Sequence, residues 1–243
     1  MKISTFIVLI ATFLYSNDPI AIVSKVRGDA RLKDKNSQKY LNKLDVNSPI
    51  YFDSQIITKK KTFVKLIFLD DGSCISIYPE TEIIINGSLD KRKILKDVEI
   101  VYGLAKIDIV DQLDNEFQII APSSKLDCNA CNFWLLSNKL DGDKYIKISG
   151  DLNISNKSLN SNISLGLDST LLSIIDKDFN KYKSTINEIK YLESFMLEFD
   201  EKIIKNKNNN SNDLTSIKSI NTLVIKLKNA ANIEKEIILT YTN

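Results

Sequence analysis

Residues 64–85, VKLIFLDDGSCISIYPETEIII, confine this chain to a short repertoire of folds. Val64, Leu66 and Phe68 recur at a period of two, Ile75 and Ile77 do the same, and so do Ile83 and Ile85. That period puts each set on one face of a strand. Asp71-Gly72 separates the first two runs. Tight hairpin turns need a positive φ, which Gly adopts at little cost, so the pair predicts a hairpin. Pro79 then breaks the second run from the third. Three short strands in succession are expected here, and no helix.

The same grammar runs from Ile20 to Leu172. Ala21–Val26 and Ala30–Leu32 flank Gly28-Asp29. Ile50–Phe52, Gln55–Ile57, Phe63–Leu69, Cys74–Tyr78 and Glu82–Ile85 follow, and Asn86-Gly87 reads as another sharp turn. After a Lys-rich loop come Val98–Tyr102, Leu104–Val110, Glu116–Ala121, Asn132–Leu136, Tyr145–Ile148, Leu152–Ile154 and Ile163–Leu165. Strands at this spacing, with no helix between them, predict a mainly β domain over 20–172, an antiparallel sandwich or barrel-like sheet.

Past Ser173 the period changes. Ile175, Phe179, Tyr182, Ile186, Ile189, Phe195, Met196, Phe199 and Ile203 recur near the helical repeat, predicting one long amphipathic helix over 176–205. Its apolar side is expected on its own domain, with docking to a partner as the alternative. Residues 206–213, NKNNNSND, form a polar linker. In 214–243 the alternation of Leu223, Ile225 and Leu227, with a second run at Glu236–Tyr241, favours a terminal hairpin. Ile217, Ile220, Val224 and Leu227 would also satisfy a helix.

Composition narrows the chemistry. With 33 basic and 31 acidic residues the net charge is +2, and only Arg27, Arg31 and Arg92 are arginines, so no nucleic-acid partner is expected. The chain has no His. Triads and metal sites built on imidazole are therefore excluded, and neither an enzymatic activity nor a cofactor is expected.

Met1-Lys2, the apolar run Ile3–Leu14 and the polar break up to Pro19 have the parts of a secretory signal, with cleavage expected after Ser16 and a signal peptide over 1–16. The run is shorter than the ~20 residues a spanning helix needs. An uncleaved anchor would be the one contact with a membrane. Export, to a bacterial periplasm, is the expected localisation.

The ordered segments AIVSKVRG (21–28), IYFDSQIIT (50–58), VKLIFLDDGS (64–73), IYPETEI (77–83), VYGLA (101–105) and FQIIAP (117–122) together resemble the FecR domain, a β-rich periplasmic family. The resemblance covers about Ile20 to Leu172, with Asp71, Gly72, Ser73, Pro79, Thr81 and Gly103 at its signature positions. Asp53-Ser54 stands where the family has Gly-Asp, and LDCNACNF (126–133) stands where it often has an Arg-Gly-Thr turn. FecR regulators also carry a cytoplasmic anti-sigma segment and a spanning helix ahead of this domain. Here Met1–Asn17 precedes the match, so the likeness is expected to the periplasmic part alone.

Cys128-Asn-Ala-Cys131 is the one motif with chemistry of its own. A short-loop disulfide, pairing of Cys74 with either cysteine, and a redox dithiol are all open. A zinc site lacks further ligands. Asp108, Asp111 and Asp114, and also Asp141 and Asp143, read as solvated loop charges, and Lys59–Lys61 as a solvated turn.

What the resemblance implies is a non-catalytic, exported module for protein recognition or envelope signalling, its partner an envelope protein such as a transporter or a regulator. The alternative is a structural envelope protein that assembles through its C-terminal helix.

Overall fold

The computed structural model describes residues 18–33, 39–40, 42–90, 93–111, 117–200, 220–228 and 234–242. The signal segment 1–16 and the linker 206–213 lie outside the described residues. The chain divides into two compact units, Met1–Ile203 and Ile204–Asn243.

The first unit is mainly β. Its strands are β1 (Ala21–Arg27), β2 (Ala30–Lys33), β3 (Asn42–Lys43), β4 (Pro49–Ile50), β5 (Ser54–Thr58), β6 (Phe63–Phe68) and β7 (Cys74–Ile77). They continue as β8 (Glu82–Asp90), β9 (Lys93–Ile109), β10 (Phe117–Ile120), β11 (Ser124–Asp127) and β12 (Cys131–Asn138). The last are β13 (Gly142–Gly150), β14 (Leu152–Asn156), β15 (Asn162–Leu165), β16 (Ser169–Ser173) and β17 (Asn180–Lys183). Helix α1 (Ile186–Phe195) and one π-helical turn (Met196–Asp200) close the unit.

These strands make one 17-stranded sheet that folds into two layers at β9. The first layer runs β4-β1-β6-β7-β9-β12-β13-β16-β17. The second runs β3-β2-β5-β8-β9-β10-β11-β14-β15. Only the β9–β10 pairing is parallel. The first half of β9 pairs with β8 and β10, and the second half with β7 and β12. Consecutive hairpins then alternate between layers: β10–β11, β12–β13, β14–β15, β16–β17.

The period of two explains what holds the layers together. Val64, Leu66, Ile75 and Ile77 of the first layer and Ile56, Ile83, Ile85, Val98 and Ile100 of the second are fully buried in one core. Phe68 and Phe117 meet edge-to-face across it, ring centroids 5.2 Å apart. Each such side chain contributes about 1.5–3 kcal/mol by leaving water.

Several expectations give way. Asn86-Gly87 is no turn, and the described residues on either side of 91–92 are strand: Asn86 pairs with Asp97 and Gly87 with Lys96, so β8 and β9 run on together. Gly is needed at 87 because a Cβ there would stand 2.6 Å from the Phe52 ring. The helix starts at Ile186 instead of 176, because Asn180–Lys183 pairs with β16 first. Thr185 and Glu188 then form a capping box that fixes the start. Ile186 is 71% exposed and Ile189 37%, so neither belongs to the buried side of the helix.

The second unit holds an antiparallel hairpin, β18 (Ile220–Lys228) and β19 (Glu234–Thr242), in register from Ile220↔Thr242 to Lys228↔Glu234. The competing helix over Ile217–Leu227 does not form within 220–228.

Candidate functional site

Where β9 passes from one layer to the other, the chain makes a corner. Gly103 turns it with φ +107°, and Leu104 N–H donates to Thr81 Oγ1 at 2.9 Å. Thr81 N–H donates to Thr58 Oγ1 at 3.0 Å, and the Thr58 hydroxyl donates to the Tyr78 carbonyl at 2.6 Å. Tyr78 N–H in turn donates to the Leu104 carbonyl at 3.0 Å. Both threonines are buried. At the corner Leu104 N–H and Thr81 N–H find threonine hydroxyls in place of ladder carbonyls.

Outside the first layer, beside this corner, sits a second apolar cluster: Phe63, Tyr78, Leu104, Trp134, Ile146, Leu192 and Phe199. Tyr78 is its centre, with ring centroids 5.3 Å from Phe63, 5.0 Å from Trp134 and 6.0 Å from Phe195. The Phe63 and Phe195 contacts are edge-to-face and the Trp134 contact is tilted, and aromatic pairs add about 0.5–1.5 kcal/mol each beyond area burial. The helix thus spends Leu192 and Phe199 on its own sheet. Arg27 ties down its far end, donating to the Glu198 carbonyl at 2.5 Å with its guanidinium 5.8 Å from the Phe199 ring centroid.

Between α1 and the sheet an open groove of about 430 Å³ remains. Pro79, Gly103, Leu104, Trp134, Leu136, Ile146, Tyr191 and Phe195 line its apolar length, and Glu80, Lys144 and Glu188 its polar parts. Tyr191 is 60% exposed and Leu136 43%, so part of this apolar surface faces water.

The polar end is organised by Glu188. Its carboxylate accepts from Thr185 N–H at 3.0 Å, Tyr182 O–H at 3.0 Å and the Lys144 ammonium at 3.2 Å. Partial burial works to raise the Glu188 pKa, and these donors outweigh it, holding the carboxyl below its ordinary range. On the other side of the corner a shallow cleft is lined by Asp29, Thr58, Lys59, Lys60, Glu80 and Tyr102. Hydrogen bonds from Arg31 first and Lys59 second lower the Asp29 pKa to about 2.

The signature positions therefore divide. Pro79, Thr81 and Gly103 build the groove's corner, whereas Asp71, Gly72 and Ser73 stand at the β6–β7 turn. There the Asp71 carboxylate accepts from Ser73 N–H at 2.7 Å and Ser73 Oγ accepts from Val110 N–H at 3.1 Å. Asp71 also pairs with the ammonium of Lys96, a residue with no exposed surface. That ammonium lies 2.8 Å from Asp70 and 5.4 Å from the ring centroids of both Phe68 and Phe117. This turn locks the two layers together.

Asp143 overturns its expected place in a solvated loop: it has no exposed surface. Its carboxylate accepts from Ser123 N–H at 2.8 Å and from the hydroxyls of Ser123, Ser124 and Ser137 at 2.5, 2.6 and 2.7 Å. The Tyr145 hydroxyl, 2.8 Å from Ser124 Oγ, completes the set, and burial pushes its pKa up. Serines beside a carboxylate could suggest acyl transfer, but all of these groups are buried. They tie β11 to β12 and β13.

Cys128 and Cys131 are joined by a disulfide, Cα atoms 6.3 Å apart, at the entry to β12. Cys74 stands apart on β7, its Sγ 3.3 Å from the Gly72 carbonyl. Among the described residues, His, Cys, Asp and Glu form no group of three or more arranged to hold a metal ion. Among them, too, no helix is long and apolar enough to cross a membrane.

A mainly β, two-layer unit with one helix laid on its outer face is the class that fold and groove define. No protein-family model and no curated protein matches the chain. Two crystal structures of a candidate anti-sigma factor from Parabacteroides distasonis resemble it, with TM-scores of 0.47 and 0.46, each at 12% identity. The likeness covers 56% and 57% of this chain, which spans 62% and 64% of those chains. At that identity and TM-score it assigns no role here.

Proposed function

We propose that this protein is an exported, non-catalytic module that recognises a protein partner in the periplasm, in the manner its resemblance to the FecR domain implies. The groove beside α1 carries the reading. It joins a water-facing apolar surface (Leu136, Tyr191), beside the buried Trp134, to a charged end (Lys144, Glu188), the composition that suits a peptide segment with an apolar anchor and a polar flank. The signature residues Pro79 and Gly103 form one of its walls. Export is supported by the signal-like residues 1–16, and the Cys128–Cys131 disulfide fits an oxidising compartment.

The test is crosslinking of the full chain in the native cell envelope, followed by mass spectrometry. An outer-membrane transporter or a membrane-spanning regulator in the catch is the expected result. Capture of copies of this chain alone would overturn the reading.

A further inference from the structure

The groove beside α1 has two ends, and the strand register places them. Across the first layer, Tyr78 N–H donates to the Leu104 carbonyl, Leu104 is paired with Leu136, and Leu136 with Lys144. Glu80, just past the end of β7, thus stands three strand spacings from Lys144, about 14 Å at 4.8 Å per strand. Helix α1 runs the same way, with Glu188 3.2 Å from Lys144 and the Phe195 ring centroid 6.0 Å from that of Tyr78. A segment laid beside the helix therefore crosses the strands with Leu136 under its middle. In extended form it covers the span in about four residues.

The charges at the two ends differ. At one end Lys144 and Glu188 neutralise each other. At the other, Glu80 is exposed, and among the described residues its carboxylate has no ion pair or hydrogen bond. Nearby Glu82 accepts from the Tyr40 hydroxyl at 2.8 Å and from the Gln55 amide, both neutral donors. Lys59 is held by Asp29 at 2.8 Å, and Lys60 lines the neighbouring cleft and not the groove. Burial first, then Glu82 and Glu80, push the Tyr102 phenol pKa up, in keeping with a negative field at this end.

We propose that the protein segment taken up by the groove sets a lysine or arginine against Glu80, with apolar side chains over Leu136 and Tyr191 about four residues away. The proposal rests on the groove being a recognition site and names the chemistry of what it recognises. A cation at Glu80 meets the one charge that the groove lining leaves uncompensated among the described residues, and an acidic side chain there is repelled by it.

Random heptapeptides displayed on phage and selected on the full chain test this. Wild type is expected to enrich apolar residues together with a lysine or arginine about four positions away. Tyr191→Asp is expected to enrich nothing, and Glu80→Lys to exchange the basic position for Asp or Glu. The wild-type consensus peptide, synthesised, is expected to bind Glu80→Lys about 3–10-fold more weakly, and its Lys-to-Glu counterpart to prefer Glu80→Lys over wild type. An apolar consensus without a basic position, or a basic one that survives Glu80→Lys, would overturn the proposal and leave the groove a recognition site. No enrichment on wild type, or a consensus that survives Tyr191→Asp, would overturn the groove reading and the proposal with it.

Discussion

A Cβ on Gly103 would stand 2.3 Å from Thr81 Oγ1 and 2.5 Å from Thr81 Cα, nearer than any side chain is tolerated. Gly103 and Thr81 are thus a matched pair: the glycine lets the corner close, and the threonine hydroxyl then satisfies Leu104 N–H. Because Leu104 and Gly103 also line the groove, the corner that joins the layers also shapes the candidate site.

Gly103→Ala is expected to cost about 2–4 kcal/mol, combining the strain of a positive φ with the clash. Thr81→Val keeps the shape and loses the hydroxyl, leaving Leu104 N–H without an acceptor, for about 1–3 kcal/mol. Urea unfolding of both variants checks the order. A neutral Gly103→Ala would contradict the corner geometry.

Phe199→Ala should release the end of the helix before it harms the sheet. Phe199 stacks at 6.4 Å from Phe63 and holds the Arg27 contact, and its loss is expected to cost about 3 kcal/mol. Trp134 is the only Trp and lies beneath the helix, so its emission should shift to the red while far-ultraviolet circular dichroism keeps its β signal.

Acid should loosen the same helix through Glu188. Its folded pKa is held down, so the unfolded chain takes up the proton first as pH falls. The stabilisation is full above the ordinary Glu value of about 4.3 and is lost as pH drops below it, through the lower folded value. Trp134 emission between pH 6 and acid should therefore show a transition that Glu188→Gln abolishes.

Asp143→Ala is expected to cost about 3–5 kcal/mol, since it strips the acceptor from a buried N–H and three buried hydroxyls. Asp143→Asn keeps one acceptor oxygen and should cost less. Thermal unfolding of the two variants separates them, and equal losses would contradict the shared-acceptor account.

The strands were legible wherever one face is buried. Val64–Phe68 and Cys74–Ile77 alternate in sequence as they do in space, and Asp71-Gly72 turns between them. The pattern failed where long-range partners decide. Gly87 reads as a turn residue locally, and it is strand because β9 pairs across it and Phe52 needs its space. Asp143 carries no sequence mark of burial, because its donors come from Ser123 and Ser124 at the start of β11 and from Ser137 on β12. The Thr185-x-x-Glu188 box is a local signal for the helix start, and the longer apolar period from Ile175 to Tyr182 obscured it. The groove follows from the placing of the helix over Trp134, which no local pattern encodes.

Site-specific photocrosslinking in the intact cell envelope tests the central claim most directly. A photoreactive residue replaces Leu136 on the groove or the 89% exposed Leu140 away from it, each with and without Tyr191→Asp. Recognition through the groove predicts one protein captured from position 136, not from 140, and lost when Tyr191→Asp spoils the apolar wall. Capture that is equal from the two positions, or indifferent to Tyr191→Asp, would contradict it.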